Sequence, residues 1–169
     1  MIDKPVFERP VLHPKKKWID YFFEVMALVL MAFMWVFAWY HFKNLPDIIP
    51  THFGLNGKAD DWGSKNSIWI LPAIVTTIVL LFRILSRYPH KFNYPVKLDE
   101  NNVERQYTIA TRLMRYMQFM ITLLFCFIHI SIVKSAYNGS TGMSVWFIFI
   151  MLPGLFVPTV YTVYTAMKK

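Results

Sequence analysis

Cysteine, acidic residues and charge in general are scarce in this 169-residue sequence. The single cysteine, Cys126, excludes an intramolecular disulfide. Asp and Glu number 10, and charged residues make up 17% of the chain, against about 25% in soluble domains. Because 56% of the residues are hydrophobic and 18% are aromatic, a disordered chain is excluded and a soluble globular domain fits poorly.

The sequence contains four long apolar runs. A helix needs about 20 mostly apolar residues to cross the hydrocarbon core of a bilayer. The runs predict membrane spans near residues 20–42, 66–87, 112–134 and 144–167. The expected fold class is therefore all-α integral membrane, with four transmembrane helices. We expect a basic N-terminal arm over 1–17 and a single membrane domain over 18–169.

Positive charge is distributed unevenly between the loops. Fourteen of the 18 Lys and Arg residues lie in the N-terminal arm, in or beside the loop between spans two and three, or at the C-terminus. The others are Lys43, Lys58, Lys65 and Lys134. Loops rich in Lys and Arg stay in the cytoplasm, so both termini are expected there. The net charge of +8 then reflects topology and contact with the lipid bilayer, and we expect no nucleic-acid partner.

The segment between the first two spans has the composition of a folded loop. Pro50 keeps the chain extended, and Asn56-Gly57 favours a tight turn with positive φ. Ser64 suits the N-cap of the second span. These features predict a structured extracytoplasmic lid over residues 44–65 that includes a short hairpin.

The lid carries the densest set of polar side chains. Its candidate ligand-binding residues are Asp47, His52, Asn56, Asp61, Trp62 and Lys65. Three interpretations are open: structural turn chemistry, a contact surface for a ligand or peptide, and a catalytic or metal site around His52 and Asp61. The lid has one His and no second His or Cys at ligand spacing, so we expect no cofactor and leave a metal open. We also expect His52 to lie partly buried beneath Trp62.

The loop between spans two and three leads into an apolar stripe with helical spacing. Asp99 is a candidate N-cap, and the stripe continues from Val103 into the third span. It predicts a helix over about 100–134, whose first turns belong to a cytoplasmic loop and helix extension at 88–111. Packing of the stripe within the chain is the default expectation. A cytoplasmic partner or a homodimer is the alternative.

Few polar residues lie inside the spans. Asp20 and Glu24 suit a helix N-terminus and can pair with basic residues on the inner side. Gln118 predicts a hydrogen bond between helices. His129 predicts an interface histidine within reach of water, with a ligand or proton relay as the alternative.

Two prolines interrupt the apolar run of the fourth span and predict a kinked helix. Pro153 and Pro158 free the carbonyls of Phe149 and Gly154, four residues earlier. In lipid these carbonyls need a partner from the protein or from water.

Two segments resemble a known family. Leu45-Pro-Asp-Ile-Ile-Pro-Thr-His-Phe, with Asn56-Gly and Asp61-Trp-Gly-Ser-Lys, is similar to the signature of a bacterial membrane domain of unknown function. That domain also forms the N-terminal half of SdpI-type immunity proteins. Phe92-Asn-Tyr-Pro-Val and Glu100-Asn-Asn-Val-Glu-Arg-Gln-Tyr resemble the next loop of the same family.

The resemblance covers residues from about 20 to about 135 and implies a multi-pass protein of the bacterial inner membrane. It also implies a role like that of immunity proteins, which protect cells against a secreted toxin and take part in its signalling. SdpI-type proteins carry a second helical half with a motif that this sequence does not show. Immunity activity is not transferred if it depends on that half, and no catalytic residue is transferred.

The sequence favours a membrane protein without enzymatic activity that binds or senses an extracytoplasmic peptide, toxin or lipid. One alternative is a membrane hydrolase or metal-dependent enzyme with a site around His52 and Asp61. Another is a small dimeric transporter, for which the spans offer few ionisable groups to line a path.

Overall fold

The computed structural model describes residues 7–139 and 142–168, which are mostly helical. The helices are α1 (Trp18–Phe42), α2 (Ile70–Leu85), α3 (Val103–Asn138) and α4 (Val145–Met167). The strands β1 (Ile48–Phe53) and β2 (Ala59–Ser64) form an antiparallel hairpin between α1 and α2. Short 3-10 helices at Lys65–Trp69 and Pro89–Lys91 flank α2.

The helices have the dimensions of membrane spans. All four are long and apolar enough to cross a bilayer, the second when it is counted from Lys65 to Leu85. This confirms the prediction of a multi-pass membrane protein with a small hairpin after the first helix. Ser64 caps the second span as predicted, because its hydroxyl accepts the backbone N–H of Asn66 at 3.3 Å.

Helix α3 is the centre of the bundle and packs against the other three helices. In the middle of the bundle, Met34 of α1 and Val75 and Val79 of α2 meet Cys126 of α3 in a buried cluster. The fourth helix contributes little to the core, since Ala166 is its one buried residue.

His129 lies inside the bundle and not at its surface. It is completely buried on α3, and its ring lies edge-on to Phe37 of α1, with ring centroids 5.8 Å apart. The expectation of an interface histidine within reach of water is therefore wrong. The reason is that α1 packs along this face of the central helix.

The fourth helix is continuous through both prolines. The Tyr116 hydroxyl of α3 donates a hydrogen bond to the carbonyl of Gly154. Pro158 cannot donate to that carbonyl because it has no N–H. The expectation that a freed carbonyl needs a partner is confirmed at this position.

The start of α3 packs against other parts of the same chain. Val103 and Tyr107 form a buried cluster with Leu98, and the ring of Tyr94 stacks on that of Tyr107 at 5.6 Å. Phe7 of the N-terminal arm also packs there. Packing within the chain, the default expectation for the apolar stripe, is confirmed.

The helix begins at Val103, and Asn102 occupies the N-cap. The predicted N-cap, Asp99, lies one turn too early. Its carboxylate accepts the backbone N–H groups of Asn101 and Asn102 at 2.9 and 3.0 Å. It therefore stabilises the turn before the helix, as Asx residues commonly do.

Candidate functional site

The hairpin is fixed to the bundle through its first strand and the residues before it. Leu45 and Ile49 are buried in a cluster with Ile68, Ile132 and Val133. Because Ile132 and Val133 belong to α3, the hairpin is packed directly on the central helix. The predicted lid is thus a rigid part of the fold.

The hairpin turn runs from Gly54 to Lys58. Gly54 donates its backbone N–H to the carbonyl of Lys58 at 2.9 Å, and Gly57 donates to that of Gly54 at 2.8 Å. Gly57 has a φ of 75°, whereas no other residue type in the described part of the chain has positive φ. The predicted tight turn with positive φ is therefore confirmed at Gly57. Asn56 supports the turn by accepting the backbone N–H of Lys58 at 2.9 Å.

The tip of the hairpin contacts the connection between α3 and α4. The backbone N–H of Met143 donates to the carbonyl of Gly57 at 2.7 Å. A Cβ added to Gly57 would lie 2.2 Å from the Met143 carbonyl oxygen, and one on Gly142 would lie 2.2 Å from that of Gly57. These two glycines allow the hairpin tip and the α3–α4 connection to approach this closely.

His52 is an exposed member of an ion-pair-like contact. Its Nδ1 lies 2.6 Å from Oδ1 of Asp60, and 67% of its side chain is exposed. Trp62 lies opposite Pro50 and not opposite His52. The expectation that His52 is partly buried beneath Trp62 is therefore wrong. An irregularity in the strand pairing on either side of His52 shifts the register at this point.

The carboxylate that contacts His52 does not belong to Asp61. Its Oδ2 accepts the Thr51 hydroxyl at 3.1 Å, and its Oδ1 accepts the backbone N–H of Trp62 at 2.9 Å. The sequence had placed a possible catalytic or metal site around His52 and Asp61, but Asp60 is the carboxylate that reaches the imidazole. Asp61 instead holds the local conformation of the hairpin.

Asp47 and Lys65 close the base of the hairpin. The Lys65 Nζ lies 2.9 Å from Oδ1 of Asp47, and the Lys65 backbone N–H donates to the Asp47 carbonyl at 2.9 Å. The hydrogen bond and the positive charge of Lys65 hold the pKa of Asp47 below its usual value. Both residues are thus engaged with each other.

Apolar side chains are also exposed on the hairpin. Ile48 and Trp62 are 63% and 45% exposed, and Leu55 at the tip is fully exposed. In the described part of the chain the sheet has two strands, so neither of its edges is paired with another strand. An unpaired edge beside exposed aromatic and apolar groups is a surface on which an extended peptide can add a strand.

A metal site has little support from the geometry. Within residues 7–139 and 142–168, no three His, Cys, Asp or Glu side chains are grouped closely enough to hold a metal ion. The contact between His52 and Asp60 offers an imidazole and one carboxylate. Zinc sites need at least three protein ligands.

A second polar cluster, which the sequence signalled only in part, lies at the opposite end of the bundle. Buried Asp20 accepts hydrogen bonds from Arg112 at 3.1 Å and from Arg115 at 3.3 Å. Glu24 accepts from Arg115 at 2.8 Å and from Lys16 at 2.7 Å. The pairing of Asp20 and Glu24 with basic residues is thereby confirmed. The signal for their partners was the spacing of Arg112 and Arg115, which places both on one face of α3.

Comparisons with known proteins place the hairpin in a recognised segment. The family model of a domain of unknown function, DUF1648, matches residues 29–76. This segment runs from the second half of α1 through the hairpin into α2 and contains all six candidate residues. An uncharacterized protein of Archaeoglobus fulgidus is 33% identical over 78 residues. The match covers 41% of this chain and 43% of that protein, and no solved structure matches.

Proposed function

We propose that this multi-pass membrane protein binds an extracytoplasmic ligand on its outer hairpin. The ligand is a peptide, toxin or lipid, and an extended peptide fits the surface best. The supporting observation is a hairpin that is fixed to the core at Leu45 and Ile49 and leaves Trp62 and Leu55 exposed. Exposed apolar groups beside an unpaired strand edge are features that peptide-binding surfaces use when a peptide adds a strand.

The proposal includes an orientation and a route inward. The protein lies in the cytoplasmic membrane of a bacterium with both termini in the cytoplasm, as the distribution of Lys and Arg favours. Helix α3 contacts the hairpin near Ile132 and extends to Val103, a 36-residue helix about 54 Å long. A change in the hairpin can therefore reach the opposite end through one rigid element. The resemblance to SdpI-type proteins supports a role in immunity or signalling.

The test uses purified protein in nanodiscs and a phage-displayed library of random peptides. Peptides that bind the wild-type protein are measured against His52→Ala, Asp61→Ala and Trp62→Ala. The matched control is Trp146→Ala, because Trp146 is also an exposed aromatic residue, at 74%, but lies on α4. We expect Trp62→Ala to weaken binding by about tenfold or more and Trp146→Ala to leave it unchanged. Equal binding by all four variants would remove the hairpin from the mechanism.

A membrane hydrolase or metal-dependent enzyme is the second candidate function. The observation that favours it is the 2.6 Å contact between His52 Nδ1 and Asp60 Oδ1, an arrangement that suits a base and its orienting carboxylate. Elemental analysis of the purified protein separates the two candidates. Stoichiometric zinc that disappears in His52→Ala would favour the enzyme, and peptide binding without metal would favour the binding protein.

The third candidate, a dimeric transporter, needs a second copy of the chain because four helices enclose little space. Crosslinking in membranes is the measurement that decides it, and a purely monomeric protein would count against it. We also propose a cytoplasmic partner that binds at the start of α3. The same crosslinking experiment tests for this partner.

A further inference from the structure

A cavity at the end of the bundle opposite the hairpin is lined by an excess of positive charge. Its volume is about 150 Å³, and it lies between α1, α2 and α3 at the level of the second cluster of ion pairs. Its basic lining residues are Lys16, Arg83, Arg87 and Arg115, and its other polar residues are His13, Glu24, Ser86 and Gln118. Glu24 is the one carboxylate among the lining residues.

The carboxylate in the cavity is already neutralised. Glu24 accepts from Arg115 at 2.8 Å and from Lys16 at 2.7 Å, so two cations share it. The side chains of Arg83 and Arg87, by contrast, form no hydrogen bond or ion pair with any residue in the described part of the chain. The cavity therefore holds cationic side chains that have no anion of their own.

Gln118 adds a donor that also lacks a partner. Its side chain is 1% exposed, and its Nε2 has no hydrogen-bond partner among the described residues. The Ser86 hydroxyl on the same cavity is buried and unpartnered as well. The sequence predicted that Gln118 would bond a neighbouring helix, but in the structure Gln118 is one of the residues that line the cavity. Leaving a buried donor unpaired is unfavourable, so the amide group of Gln118 is expected to meet an acceptor.

We propose that this cavity binds a phosphate group. Arg83 and Arg87 supply the charge, and Gln118 donates a directed hydrogen bond from the floor of the cavity. Arginine suits this task because its planar guanidinium matches phosphate oxygens. Topology alone accounts for Arg residues at the end of α2, but it does not explain a buried amide donor beside them.

Two sources can supply the phosphate group. One is the head group of an anionic lipid such as phosphatidylglycerol, which lies at the depth where α2 ends. The other is free inorganic phosphate or a small phosphorylated molecule. The recognition chemistry is the same in both cases. This site is at the opposite end of the bundle from the hairpin, so it does not rest on the function proposed above.

The first arm of the test measures retained lipid. Protein is reconstituted in nanodiscs of equal parts phosphatidylcholine and phosphatidylglycerol, and bound lipid is counted by native mass spectrometry. The variants are Arg83→Gln with Arg87→Gln, and Gln118→Glu, which keeps the size of the side chain but places a negative charge in the cavity. The control is Lys91→Gln with Lys97→Gln, which removes the same charge from the same end without touching the cavity.

The second arm measures inorganic phosphate. Protein in neutral detergent is titrated with sodium phosphate at constant ionic strength, and the thermal unfolding midpoint is followed. We expect the wild type and the control pair either to retain phosphatidylglycerol or to be stabilised by inorganic phosphate. The arm that shows binding identifies the source of the phosphate group. Both cavity variants are expected to bind about tenfold more weakly or worse in that arm.

Two results would overturn the proposal. One is a wild-type protein that neither retains phosphatidylglycerol nor responds to phosphate. The other is that both cavity variants, Arg83→Gln with Arg87→Gln and Gln118→Glu, bind as well as the control pair in both arms. Because the side chains of Arg83 and Arg87 have no partner in the described fold, the double variant is expected to fold, and Gln118→Glu provides an independent check.

Discussion

Arg115 of the third helix donates through Nε to Oε1 of Glu24 in the first helix at 2.8 Å, and its guanidinium is 8% exposed. This contact joins two helices through charges that are shielded from water. Breaking a buried pair by removing one partner costs far more than an exposed pair contributes, because the remaining charge is left without compensation.

Replacing Arg115 by methionine is expected to lower the free energy of unfolding by about 3 kcal/mol or more, since Asp20 and Glu24 each lose a cation. Thermal unfolding in detergent measures the loss. The control is Lys97→Met, which removes an exposed charge from the same end. Adding Glu24→Gln to Arg115→Met should recover part of the stability. If Arg115→Met and Lys97→Met unfold at the same temperature, the ion-pair network has no structural role.

The hydrogen bond from Tyr116 to the Gly154 carbonyl is expected to depend on Pro158. Tyr116→Phe should cost about 1–3 kcal/mol because the carbonyl then has no donor. In a Pro158→Ala background the restored backbone N–H can serve that carbonyl, so the same substitution should cost less. A double-mutant cycle on thermal unfolding gives the coupling directly. A cost that is independent of residue 158 would contradict the assignment.

Gly57 and Gly139 provide a matched pair for testing the contact between the hairpin tip and the α3–α4 connection. Both have positive φ, 75° and 69°, so alanine at either position carries a backbone cost of about 1–2 kcal/mol. At Gly57 the new Cβ also meets the Met143 carbonyl at 2.2 Å, whereas at Gly139 it meets nothing within 4 Å. Gly57→Ala is therefore expected to destabilise more and to speed amide exchange at Met143. Equal effects would mean that the segments do not touch.

The pKa of Asp47 provides a pH-dependent readout of the hairpin base. Lys65 lowers it below 3.8, so the ion pair stabilises the hairpin above about pH 3.8, and this stabilisation is lost as the pH falls through the folded pKa. Carboxyl chemical shifts across a pH titration measure the value. Lys65→Gln should return it to normal, while Lys58→Gln on the same hairpin should not. Added salt should reduce the shift, since the Asp47 side chain is 92% exposed.

The proposed orientation predicts which residues a membrane-impermeant maleimide can reach in intact cells. In a Cys126→Ala background, Asn56→Cys at the hairpin should be labelled without permeabilisation. Lys97→Cys in the opposite loop should be labelled only after permeabilisation. The reverse pattern would place the hairpin in the cytoplasm and exclude an extracytoplasmic ligand.

The helices could be predicted from the sequence because each span must satisfy its own backbone hydrogen bonds in lipid, which ties span length to the apolar run. The carboxylate that contacts the His52 ring could not be predicted. A shift in the strand register directs its ring to Asp60 instead of Asp61, and local propensity does not encode such irregularities. The cavity proposed to bind phosphate could not be predicted from the sequence either, because Arg83 and Gln118 come together only when α2 and α3 pack.

The fourth helix has a single buried residue, Ala166, and polar contacts join it and the segment before it to the rest of the protein at three heights. They are the Met143 N–H on the Gly57 carbonyl, the Tyr116 hydroxyl on the Gly154 carbonyl, and the Gln106 amide on the Ala166 carbonyl. The hydrophobic effect does not drive helices together within a bilayer, because lipid tails are as apolar as the helix surfaces. These directional bonds therefore oppose sliding of this helix along its neighbour and help to fix its depth in the bilayer.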